Sequence, residues 1–158
     1  MKKLFLLLSV LFLISLGFGQ NSDKIILKEE IQNYLFPSLE ILEEYIRIED
    51  YIFSSVSDTS VTKDYYTLSN LLENCNDKLF QIKKNFYDSK TFQSNEKEDR
   101  LIKLFDNYIE LLSETILQLK LISLKLDNVY SYPIEDYSKD LDIFQKLRDG
   151  YMLSLTHI

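Results

Sequence analysis

The chain has no tryptophan and no alanine, one cysteine, one histidine, two prolines and three glycines in 158 residues. Each scarcity removes a class of structure or chemistry. With so few Gly and Pro there are few places for tight turns, which argues against a β-rich fold. One cysteine, Cys75, allows no internal disulfide and no cysteine-rich zinc site. The single histidine, His157, is next to last, so neither a multi-histidine metal site nor a pair of Glu-x-x-His motifs is available. A Ser-His-Asp triad would need that same terminal residue. A glycine-rich phosphate loop is also out of reach, because two of the glycines, Gly17 and Gly19, lie close to the N-terminus and leave only Gly150. No CxxCH haem signature occurs. We expect no catalytic constellation, no metal and no cofactor.

What is present begins with a leader. Lys2 and Lys3 precede an apolar run from Leu4 to Leu16, interrupted only by Ser9 and Ser15. A membrane-spanning helix needs about 20 apolar residues, so this run is short for a span. A basic start, a short apolar stretch and then small residues form the pattern of a secretory signal. Gly17 and Gly19 take the small-x-small positions, which predicts residues 1–19 as signal peptide, a mature chain starting at Gln20, and an exported protein with no stable membrane insertion after cleavage. Removing Lys2 and Lys3 takes the net charge from −7 to −9. So acidic a chain is a poor partner for nucleic acid or anionic lipid.

The remaining residues, 20–158, form one domain by length. Their apolar positions recur in alternating steps of three and four. One segment reads Val61, Tyr65, Leu68, Leu72, Cys75, Leu79, Ile82, Phe86; the next reads Leu101, Phe105, Tyr108, Leu112, Thr115, Leu119, Ile122, Leu126. The last reads Ile134, Tyr137, Leu141, Phe144, Arg148, Tyr151, Leu155, Ile158, and the first allows Leu27, Ile31, Tyr34, Ser38, Ile41, Tyr45, Ile48, Ile52. Such spacing marks helices packed side by side at a shallow angle. Polar clusters at 54–62, 88–98 and 127–136 separate them. They carry capping residues: a Ser/Thr/Asp run, Asn95 with Glu98 at capping-box spacing, and Pro133 suited to a first helical turn. The predicted helices are 24–54, 60–88, 95–128 and 133–149, the last extending past Gly150 if the spacing of Tyr151, Leu155 and Ile158 counts. Short loops make neighbours antiparallel, so the fold class is all-α, an up-down-up-down four-helix bundle following the signal peptide. A second stripe, Ile102, Ile109 and Ile116, predicts that the third helix touches more than one neighbour. Pro37 stands inside the first helix and predicts a kink.

Two constellations are candidates for function. Four seam positions are polar: Ser38, Cys75, Thr115 and Arg148. Counting residues from one end of the bundle puts them near one level, with Glu40 and Glu114 as the nearest carboxylates for the arginine. This layer is read either as a device that fixes helix register or as a pocket for a small anion anchored on Arg148. The second constellation is aromatic: Tyr51, Phe53, Tyr65, Tyr66, Tyr130 and Tyr132 crowd one end and suggest a partner surface. The acidic runs 42–50 and 134–142 lack the turning backbone of a calcium loop and read as solvated helix faces. The expected function is an exported binding or interaction bundle without catalytic activity, whose partner is another protein or a small ligand. The alternatives are a small-molecule carrier with a polar internal pocket and, behind it, a carboxylate-based hydrolase.

Overall fold

The computed structural model describes residues 22–58, 63–89, 96–128 and 131–158. The expected leader and its expected cleavage point lie outside these residues, as do Tyr130 and Asn95. Four helices follow one another: α1 (Ser22–Val56), α2 (Tyr65–Asp88), α3 (Glu96–Asp127) and α4 (Ile134–His157). They pack as a four-helix bundle in which sequence neighbours run antiparallel and α3 touches all three other helices.

The periodic positions build the core. On α2, Tyr65, Leu72, Cys75, Leu79 and Phe86 are buried; on α3, Phe105, Tyr108, Leu112, Thr115, Leu119 and Ile122 are buried. The second stripe of α3 is buried through Ile109 and Ile116, with Ile102 half-buried, which lets this helix serve several neighbours at once. Phe86 gathers an aromatic cluster, with ring centroids 4.8 Å from Phe105 and 5.4 Å from Tyr34. α1 departs from the predicted single line. Ile31, Ser38, Tyr45 and Ile52 are buried, and so are Leu35, Leu42 and Glu49, a parallel stripe in steps of seven.

The helix ends correct the expected boundaries. α2 starts at Tyr65, five residues later than expected. Its cap is Asp64, whose carboxylate accepts the Thr67 N–H at 2.9 Å as well as the Thr67 hydroxyl. Ser54, Ser55 and Ser57 do not cap α2. Their hydroxyls donate back to the carbonyls of Tyr51, Ile52 and Ser54 and satisfy the end of α1 instead. Pro133 stands just ahead of α4, with φ −60° and ψ 145°, and its carbonyl accepts the N–H groups of Asp136 and Tyr137. Glu135 and Asp136 then place negative charge in the first turn, where the helix dipole favours it.

Two exceptional residues sit within helices. Pro37 is exposed and does not end α1. Gly150 does not end α4, which continues to His157. A Cβ at position 150 would come within 3.2 Å of the Leu111 side chain, so the missing side chain lets α4 lie close against α3.

Candidate functional site

Arg148 finds its partner on α1. Its Nη1 lies 3.1 Å from Oε1 of Glu49, and the Glu49 side chain is 2 % exposed against 32 % for Arg148. The expected partners, Glu40 and Glu114, are both exposed and point elsewhere. The correction has a geometric cause. Residue counting aligned Arg148 with Glu40, nine positions from Glu49 and so about 13 Å away along the axis. The actual register of α1 against α4 is fixed by Phe53 on Phe144 (centroids 5.4 Å) and Tyr45 on Tyr151 (6.4 Å, interplanar 80°). Glu49 and Arg148 form the rung between those two.

Tyrosines surround this pair. Tyr45, Tyr108 and Tyr151 are fully buried. Burial first, and then the Glu49 charge, pushes the Tyr45 hydroxyl well above its ordinary pKa, so it stays protonated toward Glu49. Tyr151 is likewise raised, by burial and then by Glu49, against the opposing pull of Arg148. Burial works against the charge on Arg148 itself, but Glu49 and the two tyrosines outweigh it and raise its pKa. Tyr108, raised by burial, completes the series with its hydroxyl beside Ser38. The arrangement is a carboxylate and a guanidinium set among protonated phenols, inside a bundle.

The other polar seam residues do not converge on Arg148. The Ser38 hydroxyl donates to the Leu35 carbonyl at 2.7 Å, and that of Thr115 to the Leu111 carbonyl at 2.6 Å. Each is thereby satisfied within its own helix. Cys75 and Glu40 line a groove of about 530 Å³ between α1 and α2, with Ile41, Lys78 and Ile82. Burial pushes the Cys75 thiol up, with Lys78 opposing. Glu114 lines a different groove, between α2 and α3, with Asn76, Phe80 and Lys83. The six proposed members of one internal pocket are thus spread over the core, two grooves and the α1–α4 seam.

The aromatic end also resolves into separate roles. Tyr65 is buried and Phe53 packs on Phe144. The Tyr132 hydroxyl donates to Asp140 at 2.7 Å and its ring meets Tyr137 edge-on. Only Tyr51 and Tyr66, at 46 % and 61 % exposure, face outward among the described members of that set. A more continuous apolar surface lies on α3, where Leu117, Leu121 and Leu124 are 43 %, 42 % and 40 % exposed at steps of four and three. Next to them Lys120 is ion-paired to Glu73 of α2.

Among the described residues no three His, Cys, Asp or Glu side chains come together in a way that would hold a metal ion, and no helix is long and apolar enough to cross a membrane. Comparison with protein-family models, with curated proteins and with solved structures returned no match.

Proposed function

We propose that this chain is an exported helical bundle, without catalytic activity, that binds another protein. The observation that carries the reading is the outward line of Leu117, Leu121 and Leu124 on α3. Three aliphatic side chains in successive turns present one continuous apolar ridge, the form in which helices offer themselves to a partner. The ridge belongs to the helix that already contacts every other element, so it stands on a rigid support. Export rests on the N-terminal segment and its small-residue boundary. An anion pocket on Arg148 is less well supported, because Glu49 already matches the guanidinium charge.

The test is site-specific photocrosslinking in the producing cell. A photoreactive residue at Leu121 should yield one discrete crosslinked protein, and the same residue at Lys139 should not. Adding Leu117→Glu should remove the crosslink while leaving the unfolding free energy within about 0.5 kcal/mol of wild type. Equal, diffuse labelling from both positions would defeat the proposal.

A further inference from the structure

In a bundle of this topology three seams are closed at one end by a loop: α1–α2, α2–α3 and α3–α4. The fourth, α1–α4, has no covalent closure. It differs in packing as well. The backbones of the three connected pairs run close together, whereas those of α1 and α4 approach within 8 Å almost nowhere. Long side chains span the gap in three rungs: Phe53 on Phe144, Glu49 on Arg148, and Tyr45 on Tyr151.

Two of these rungs carry polar groups, and that lowers the cost of parting them. Separating an aliphatic seam only exposes hydrocarbon to water. Separating this one also returns a carboxylate, a guanidinium and phenolic hydroxyls to water, which recovers part of the desolvation penalty of burying them. Arg148 is already one-third exposed, so the guanidinium side of the pair faces solvent from the outset.

The opposite side of α4 is fastened differently. Gly150 lies against Leu111, the Asn107 amide donates to the Ser154 hydroxyl at 2.6 Å, and the Gln118 amide to the Asp140 carbonyl at 3.2 Å. Lys125 is paired with the Asp140 carboxylate at 2.5 Å. α4 is therefore held to α3 along its length by short polar and van der Waals contacts.

We propose that the α1–α4 seam is the opening edge of the bundle, with the Glu49–Arg148 pair as its latch and α4 pivoting on α3. This device is independent of the ridge on α3. Opening uncovers the inner face around Tyr45, Phe144 and Tyr151 and leaves the α1–α2–α3 packing in place.

Distances between spin labels test it, in full-length protein carrying Cys75→Ala. One pair replaces Arg47 and Lys146, exposed residues each two positions from the latch. The control pair replaces Glu114 and Asp149, exposed on α3 and α4. Wild type should show a main α1–α4 distance and a minor one at least ~5 Å longer, the scale of one helical turn. Glu49→Gln should raise the minor population at least about threefold, and Glu49→Leu with Arg148→Leu should reduce it below wild type. The control pair should keep one distance throughout. A single α1–α4 distance in all three proteins overturns the proposal, as does equal broadening of the control pair. If Glu49→Gln fails to fold, wild type and the double variant still decide, and an equal minor population in both overturns it.

Discussion

Replacing Arg148 alone and replacing it together with its partner should have different consequences. Arg148→Leu leaves the Glu49 carboxylate buried without its counter-charge and should destabilise the protein by about 2–4 kcal/mol in denaturant unfolding. Glu49→Leu with Arg148→Leu removes both charges and should be neutral or stabilising, by up to about 3 kcal/mol. Asp140 offers a second measurement at this scale. Burial disfavours its charge, but Lys125 and the Tyr132 hydroxyl outweigh that and hold it below its ordinary value of 3.8. A depressed folded pKa gives stability that is present above the unfolded value and is lost as pH falls through the folded one. Asp140→Asn should therefore cost about 1–2 kcal/mol at pH 7. The melting temperatures of variant and wild type should converge once the pH drops below the folded pKa. Cys75, buried and with a raised thiol pKa, should react slowly with a thiol reagent until denaturant is added.

At the scale of the helix, Gly150 shows why residue pattern outperformed residue propensity. Glycine is a poor helix former, yet Tyr151 and Leu155 keep the apolar spacing and α4 runs on. Gly150→Ala sets a helix-propensity gain against a 3.2 Å approach to the Leu111 side chain, whose flexible end can shift, so the change should stay within about 1 kcal/mol of wild type. Gly150→Leu must push α4 off α3 and should lose about 2–3 kcal/mol. Both are read from urea midpoints. α1 marks where pattern reading stopped short. Its line through Ser38 and Tyr45 was legible, but that single line does not contain the parallel buried stripe Leu35, Leu42, Glu49. Steps of seven from two leucines were the available signal. The start of α2 was displaced for a related reason: a serine at a helix junction serves either the end before it or the start after it, and Ser54, Ser55 and Ser57 serve the former.

For the whole molecule, the four-helix architecture was legible because unbroken alternation of three and four in each segment admits few other solutions. The polar cluster was only half legible. Arg148 stood out as a charge on a seam, but its partner depended on the offset of α1 against α4, which rings at Phe53, Phe144, Tyr45 and Tyr151 set and which no residue count contains. The expected processing is a separate matter at this scale, and intact mass of exported protein should start at Gln20. A mass that retains residues 1–19 would place the leader as an anchor instead.

The position of α3 among the helices also governs the order in which the chain can become stable. The ribosome releases α1 and α2 first, and their buried stripes face an interior that α3 has yet to fill. Until Leu119 and Ile122 emerge, the first two helices have only each other. Most helical stability comes from packing an apolar face rather than from propensity, and two helices alone leave much of that face uncovered. Once α3 arrives it meets both at once, whereas α4 joins afterwards onto a surface already formed. A fragment ending at residue 127 should therefore be substantially helical by circular dichroism, and one ending at residue 89 largely unfolded. Exposed apolar stripes in that interval make the unfinished chain prone to aggregation, a vulnerability that the finished bundle of simple topology does not display.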